Sequence, residues 1–380
     1  MTFPKKLWVL VPVLVLALFF AACGIRPSGA DTAATAASAA PIQEPTQPSG
    51  VFTPDGSVIF DKDGVTVTSA GLDIDPTDAQ AHPIIWVDME NTGSADAYLG
   101  VWNGSVNGLM TDVLIADFYE EDGQYYGADY SADTVIPAGG SVRRALAYYG
   151  NSSPGIGLDT LGEMELSFTM AEDEYSWHNY VSEPVKIVTG EAFEPLDIAA
   201  LGTTVIDDET LLLVLGVQDY DDFFGPMVYV YCENRSDCFL GISADTAEAD
   251  GVFCDYIMFG TALALGKTSA GFMCFDGELR QLKGFEDLTL QFSLYRAATR
   301  DELEAMQEKE TLDPVAVTYP PQVWGEYEND GLTLEIQPKY NALVTVEVPD
   351  NDPSGVLFTV SETASLEAGG YEGAGWIFSI

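Results

Sequence analysis

Apolar and polar residues alternate over short runs through most of the chain beyond residue 55. Ile85, Val87 and Met89 form one such run, and a period of two residues is typical of strands that bury one face. In the first half the pattern predicts strands near residues 58–70, 83–90, 97–103, 141–149, 163–170 and 184–188. No long helical period separates them, and a short helix is predicted only at Asp301 to Lys309. We therefore expect an all-β fold.

The alternating pattern occurs twice, with the same landmarks in the same order. The paired landmarks are Glu90-Asn91 with Glu233-Asn234, Tyr98 to Val101 with Phe239 to Ile242, Asn107-Gly108 with Asp250-Gly251, Met164 to Met170 with Leu288 to Leu294, and Glu183-Pro184-Val185 with Asp313-Pro314-Val315. Such self-similarity predicts two duplicated domains, at residues 55–190 and 195–320. Six or seven short strands in each domain suit a sandwich of two sheets.

These motifs resemble a known group of proteins. The strand that ends at Glu90-Asn91, the hairpin Val106 to Gly108, the step Pro137 to Gly140 and the strand Met164 to Met170 are similar to immunoglobulin-like domains of secreted and lipid-anchored proteins from Gram-positive bacteria. That superfamily includes the mycobacterial immunoprotective secreted antigen. In the second domain Leu265 to Lys267 replaces the Pro-Ala-Gly step. The resemblance implies tandem immunoglobulin-like β-sandwiches with a binding or scaffold role in the envelope, and it supplies no catalytic residues.

The N-terminus has the features of a bacterial lipoprotein signal. Lys5 and Lys6 precede an uncharged apolar run, and small residues lead to Cys23, which would become the lipidated first residue. Phe20 departs from the residue usual at its position, so a plain secretory signal or an uncleaved anchor is the alternative. We expect a signal peptide at residues 1–22, a flexible tether at 23–54 rich in Ala, Thr, Ser, Pro and Gly, and lipid anchoring on the extracellular face of the cell membrane.

Residues 321–380 form a third, smaller segment that is also predicted to be β-rich. Strands are predicted at Gly331 to Ile336, Ala342 to Val348, Val356 to Val360 and Trp376 to Ile380. An apolar strand at the very end needs a partner on both sides. Either that last strand is central in a sheet, or the chain stops short of a complete domain.

Charge excludes one class of partner. The chain has 60 acidic and 15 basic residues, a formal charge of −45, so it repels nucleic acid. Its hydrophobic content of 47% is sufficient for packed cores. Acidic clusters at Asp61 to Asp63, Asp73 to Asp75 and Asp219 to Asp222 lie in predicted turns. We interpret them as solvated turns and expect no cofactor, with a calcium-stabilised spacer as an alternative.

Few residues favour catalysis. His82 and His178 are the only histidines, and the sequence lacks nucleophile-elbow, phosphate-loop and dinucleotide motifs. We therefore expect that the protein is not an enzyme. Carboxylates are abundant, so a hydrolase that acts on polysaccharide through a carboxylate pair is the alternative function.

A long insertion in the first domain, between Gly108 and Gly140, supplies the candidate binding residues. Tyr119, Tyr125, Tyr126 and Tyr130 lie there beside several acids, a composition that suits contact with a protein or a glycan. The alternative is a long hairpin whose aromatic residues pack on their own sandwich. The expected function is thus a non-catalytic binding or scaffold module of a cell-surface lipoprotein.

Four cysteines lie in the second domain: Cys232, Cys238, Cys254 and Cys274. Export permits disulfides, and Cys232 with Cys274 is the first candidate pair because both fall on predicted inward faces. Cys232 occupies the position of Met89 in the first domain, so a small buried apolar role is the alternative.

Overall fold

The computed structural model describes residues 50–78, 81–121, 124–148, 153–171, 180–298, 309–329, 332–341, 344–347 and 357–360. For residues 327–329 and 332–334, and for the described residues from 341 onward, only the backbone is described. The signal with Cys23, the tether up to residue 49, His178, the helix predicted from Asp301 and the last predicted strand from Trp376 lie outside these ranges. Within the described residues no helix has the length and apolar character needed to cross a membrane.

The described chain is nearly all β, which confirms the predicted fold class. The strands of its first part are β1 (Val51–Phe52), β2 (Val58–Lys62), β3 (Val65–Ile74), β4 (Pro83–Asn91), β5 (Ala97–Val106), β6 (Leu109–Met110), β7 (Val113–Glu121), β8 (Gln124–Ser131), β9 (Asp133–Ile136), β10 (Ser141–Tyr148), β11 (Glu163–Ala171), β12 (Tyr180–Val181) and β13 (Val185–Val188). The strand predicted at 58–70 is two strands, because Asp63 and Gly64 adopt positive φ angles of 50° and 85° and turn the chain.

Two layers enclose the first core. One is a six-stranded sheet with the order β2-β3-β4-β10-β7-β8. The other is half of a twelve-stranded sheet, where β1-β13-β11-β5-β6 follow one another and β12 and β9 pair with β11 and β5. Every second residue of each strand points inward, as the period of two predicts, and these side chains form the first core between the layers. Its buried members fall between Ile59 and Ile187.

The second part of the chain repeats this arrangement. Its strands are β14 (Thr203–Asp207), β15 (Leu211–Asp221), β16 (Gly225–Asn234), β17 (Phe239–Ala249), β18 (Val252–Cys254), β19 (Ile257–Met258), β20 (Gly260–Leu263), β21 (Thr268–Phe275), β22 (Asp287–Ala297), β23 (Lys309–Thr311) and β24 (Val315–Thr318), with 3₁₀ turns at Ile198–Leu201 and Leu279–Gln281.

A second core lies between its two layers. The order β21-β16-β15-β14, with β19 paired to β21, completes the twelve-stranded sheet, and β18-β17-β22-β23 with β20 and β24 forms the opposite sheet. The buried members of this core fall between Leu211 and Tyr319. The pairing of β3-β4-β10 in the first part is thus matched by β15-β16-β21 in the second, and that of β5-β11-β13 by β17-β22-β24.

The repeated Glu-Asn landmark has a structural cause. Asn91 ends β4 with 2% of its surface exposed, and its amide nitrogen donates to the carbonyl oxygens of Ala95 at 2.9 Å and Ile136 at 3.0 Å. Asn234 ends β16 in the same way and donates to Cys238 at 2.9 Å and Leu263 at 3.1 Å. Each asparagine therefore ties the end of a central strand to the strand that crosses from the other layer.

The two parts meet edge to edge. β6 pairs in parallel with β21, where the Thr268 amide donates to the Gly108 carbonyl at 3.0 Å. Beside this contact the ammonium of Lys267 lies 3.1 Å from the carboxylate of Glu165. The Tyr231 hydroxyl donates to the Pro154 carbonyl at 2.8 Å. The twelve-stranded sheet thus runs without a break through both parts.

The C-terminal segment forms β25 (Gly325–Asn329), β26 (Leu332–Ile336), the helical turn α1 (Pro338–Asn341), β27 (Val344–Glu347) and β28 (Leu357–Val360). β25 pairs with β26 and β27 with β28, and the last three strands match the predicted ones. This segment packs on the second part of the chain, since the Trp324 ring contacts Tyr220 at 4.8 Å and its indole nitrogen donates to the Lys283 carbonyl at 3.0 Å.

Candidate functional site

The long insertion of the first part forms an antiparallel hairpin, β7 with β8, at the edge of the six-stranded sheet. The four tyrosines predicted to bind a ligand separate here into two groups. Tyr130 is half-buried and donates to Asp75, whereas Tyr119, Tyr125 and Tyr126 are exposed at 38%, 40% and 69%. Only three of the four are therefore open to a partner.

Tyr130 has a packing role. Its ring contacts Phe118 at 6.5 Å, and its oxygen lies 3.3 Å from the Thr77 hydroxyl. Burial, together with the hydrogen bond to Asp75, raises the pKa of Tyr130 to about 12. Tyr130 thus stays neutral at physiological pH and ties the hairpin to the turn after β3, as the alternative interpretation of the insertion proposed.

Tyr125 belongs to a cluster that the sequence did not indicate. Its ring lies 6.1 Å from Trp86 and 5.6 Å from Phe118, and Trp86 and Phe118 are 5.2 Å apart. We call Trp86, Phe118 and Tyr125 the aromatic face. It lies on the outer side of the six-stranded sheet, because Ile85 and Val87 beside Trp86 point into the core.

Tyr119 and Tyr126 form a second, separate pair. Their rings stack with centroids 5.9 Å apart near the end of the hairpin. The Tyr119 hydroxyl donates to Asp129. These contacts hold both rings in place while leaving Tyr126 largely in water.

Charged side chains frame the aromatic face. The guanidinium of Arg143 lies 5.3 Å from the Trp86 ring and 3.9 Å from the Asp88 carboxylate. On the other side of Trp86, its indole nitrogen donates to the exposed Asp73 carboxylate at 3.2 Å. The face therefore offers apolar rings between one cationic and two anionic groups.

The candidate disulfide is not formed, and the register of the strands gives the reason. All four described cysteines are free thiols. Cys232 pairs with Ser269 and Cys274 with Met227 on the neighbouring strand. The two sulfurs are thus five residues apart along the sheet, about 17 Å at about 3.3 Å per residue, far beyond disulfide reach.

The inward-face prediction was correct for Cys232 and wrong for Cys274. Cys232 is a member of the second core, as the small-apolar alternative requires. Cys274 is also buried, but its neighbours Met273 and Phe275 fill the core, so its side chain points to the opposite side of the strand. Burial raises the pKa of both thiols, that of Cys274 to about 12.

The acidic turns are held by hydrogen bonds of their own. Asp75 is buried and accepts from the Thr77 amide at 2.8 Å, and Asp221 accepts from the Phe223 amide at 2.8 Å. Asp75 is thus not a solvated turn residue, contrary to expectation. Among the described residues, no group of three or more His, Cys, Asp and Glu side chains is placed to hold a metal ion.

One cavity lies near the junction of the two parts. It measures about 340 Å³ and is lined by Asn107, Ile156, Asp159, Phe193 and Glu194, among others. Both carboxylates are exposed to water. The cavity thus brings two carboxylates to one lining, as hydrolysis by a carboxylate pair requires.

Comparison with known proteins finds distant likenesses among solved structures. No protein-family model matches the sequence, and no curated protein matches it either. The YadV chaperone is similar over 66% of this chain and 100% of its own, with 11% identity and a TM-score of 0.20. The CupB2 chaperone of Pseudomonas aeruginosa is similar over 62% and 93%, with 12% identity and a TM-score of 0.16.

An exo-chitosanase, CsxA of Amycolatopsis orientalis, is similar over 63% of this chain but only 26% of its own, with 10% identity and a TM-score of 0.19. At TM-scores this low the likenesses identify neither a family nor a function. The function must therefore be argued from the residues themselves.

Proposed function

We propose that the protein is a cell-surface lipoprotein that acts as a non-catalytic binding module in the bacterial envelope. Two immunoglobulin-like domains, at residues 55–190 and 195–320, form its rigid part and are anchored through a lipid on Cys23. The matching strand order of the two parts and their two separate cores support the duplication. The partner is a protein or a glycan of the envelope.

The observation that carries this proposal is the aromatic face. Trp86, Phe118 and Tyr125 contact one another on the outer side of a sheet. Trp86 and Phe118 pack there on a small apolar cluster around Ile84, while Tyr125 keeps 40% of its surface exposed. Rings in mutual contact lose little further freedom on binding and offer flat apolar area beside polar edges, which suits both protein and sugar partners. The hairpin that supplies Phe118 and Tyr125 falls in the long insertion of the first domain.

Capture of envelope partners by the purified full chain tests the proposal. We expect wild-type protein to retain a protein or glycan from envelope extracts, and the variants Trp86→Ala and Tyr125→Ala to retain at least tenfold less, since truncating a central aromatic residue costs about 2 kcal/mol or more. Phe253→Ala is the matched control, because Phe253 is 62% exposed but lies in the second domain. Equal capture by all three variants and the wild type would contradict the proposal.

Anchoring is tested separately. Bacteria that express the chain should incorporate labelled palmitate into it, and Cys23→Ala should abolish the label while leaving the chain in the culture medium or uncleaved. Label that persists in the Cys23→Ala variant would show that another residue carries the lipid.

Hydrolysis of polysaccharide remains the second candidate, and one observation favours it. The cavity of about 340 Å³ carries Asp159 and Glu194 together. Against it, both carboxylates are exposed, whereas a general acid of this type is held away from water. Release of reducing sugar from wall or plant polysaccharides by wild type, but not by Asp159→Asn or Glu194→Gln, would establish the hydrolase in place of the binding module.

A further inference from the structure

An aspartate and an aromatic residue recur at matching positions of the two parts of the chain. On β3, Asp73 pairs with Ile84, two residues before Trp86 on β4. On β15, Asp219 pairs with Met227, two residues before Tyr229 on β16. Both β4 and β16 then end at the Glu-Asn landmark. The same pair of side chains is therefore placed on the outer side of each repeat.

The two carboxylates are held in the same way. One oxygen of Asp73 accepts from the next amide, that of Ile74, at 2.8 Å, and one oxygen of Asp219 accepts from the amide of Tyr220 at 2.7 Å. The second oxygen accepts from the aromatic neighbour, at 3.2 Å from Trp86 and at 3.3 Å from Tyr229. Each carboxylate is thus fixed in orientation and keeps lone pairs for another donor.

In the second repeat a lysine fills this position. The ammonium of Lys339, on α1, lies 2.9 Å and 3.1 Å from the two carboxylate oxygens of Asp219, and 3.3 Å from the Tyr220 carbonyl. Two residues earlier, Gln337 donates to Asp222 at 3.2 Å. In the second repeat, the aspartate beside the Tyr229 ring therefore binds a lysine, and that lysine lies on a short helical turn directly after strand β26.

In the first repeat the part of the chain that the structure describes places no such cation at the corresponding position. Among the described residues no lysine or arginine forms an ion pair with Asp73, and the nearby Arg143 pairs with Asp88 on the other side of Trp86. Asp73 is exposed, and the aromatic face continues beside it. The chain's formal charge of −45 attracts a cationic partner toward this surface.

We propose that the outer surface formed by Asp73 and the aromatic face binds a lysine-bearing segment of a partner protein. The lysine ammonium sits on the Asp73 carboxylate, and its aliphatic stem lies along the Trp86 ring. This inference rests on the proposed function and specifies its ligand. The segment β26-α1, docked on the second repeat, is its counterpart within the chain.

Fluorescence anisotropy with the purified full chain tests the inference. The probe is a labelled peptide with the sequence of Gln337 to Asn341, and the matched probe carries Lys339→Gln. We expect the lysine peptide to bind and the glutamine peptide to bind at least fivefold more weakly, the equivalent of about 1 kcal/mol for an exposed ion pair. Asp73→Asn should remove the difference between the two peptides, and binding should weaken as salt rises.

The control is Asp61→Asn, which makes the same charge change at another exposed strand position of the first repeat and should bind as wild type does. Equal binding of both peptides, or equal binding by Asp73→Asn and wild type, would overturn the inference. So would binding of a glucosamine oligosaccharide in preference to the lysine peptide, since the cation would then be that of a sugar. In each of these cases capture of an envelope partner through Trp86 would still stand, so the two proposals fail separately.

Discussion

Replacing Asn91 with alanine should lower the free energy of unfolding of the first part of the chain by about 3 kcal/mol. The side chain makes three hydrogen bonds: its amide nitrogen donates to Ala95 at 2.9 Å and Ile136 at 3.0 Å, and its oxygen accepts from the Gly93 amide at 2.8 Å. At 2% exposure, water cannot replace them. Each bond contributes about 1 kcal/mol net, and among the backbone groups left behind the Ile136 carbonyl is buried.

Urea unfolding followed by circular dichroism and tryptophan fluorescence measures this loss. Because the chain has two cores, the data are fitted with a separate transition for each. Asn234→Ala provides the matched experiment, since Asn234 makes the corresponding bonds in the second core and should lower the other transition. Thr92→Ala is the local control, because its hydroxyl makes one surface bond, to the Gly64 carbonyl at 3.1 Å, and its loss should cost less than about 1 kcal/mol.

Asn91→Asp tests whether the loss of stability comes from the lost hydrogen bonds or from the lost side-chain volume. The substitution keeps the volume but directs a carboxylate oxygen at two carbonyl oxygens, so it should destabilise at least as much as alanine. A loss below about 1 kcal/mol for Asn91→Ala, or an Asn91→Asp variant as stable as wild type, would refute the argument that this side chain ties the two layers together.

Three further outcomes are expected. Gly225→Ala should lower the free energy of unfolding by more than about 2 kcal/mol, because Gly225 has a φ of 76° and an added Cβ would lie 2.3 Å from the Arg280 carbonyl oxygen. At Gly271 an added Cβ meets open space, so Gly271→Ala should change the free energy of unfolding by no more than about 0.5 kcal/mol, and thermal melts measure both. Burial raises the pKa of Asp245, but the hydrogen bonds from Lys309 and Ser293 together with the charge of Lys309 outweigh burial, so the net shift of the pKa is downward. The carboxylate therefore stabilises the fold above about pH 4, and this stabilisation is lost as pH falls further; Asp245→Asn should reduce that dependence on pH. A thiol reagent should react in the folded protein with Cys238, which is half-buried, and with the three buried cysteines of the second part only after denaturation.

Strand positions followed from the sequence because they depend on local chemistry. The period of two marks one buried face, and the hairpins at Asn107-Gly108 and Asp250-Gly251 were predicted from residues that tolerate positive φ. The structure has φ angles of 52° and 83° at the first and 49° and 83° at the second. The same type of signal at Asp63-Gly64 was not used, and two strands were predicted there as one.

Contacts between strands could not be predicted in this way. The bridge between Cys232 and Cys274 was wrong because facing residues depend on register, and register depends on partners distant in sequence. The continuous sheet through β6 and β21 has the same origin, since only one residue pair, Leu109 with Thr268, joins them. Neither the period of a strand nor its turn residues contain that information.

The candidate site depends both on local sequence and on contacts between distant strands, which explains why Trp86 was missed. Tyr125 was found because the insertion that carries it differs between the repeats, but Trp86 lies on an ordinary strand and becomes part of the site only when β7 and β8 bring Phe118 and Tyr125 beside it. The repeats share the asparagine tie and the aspartate–aromatic pair, and they differ in what covers that pair: α1 of the C-terminal segment in the second, and in the first a hairpin that extends the surface without closing it. The shared asparagine therefore maintains the fold, and function is to be sought where the two copies diverge, in what covers the aspartate–aromatic pair.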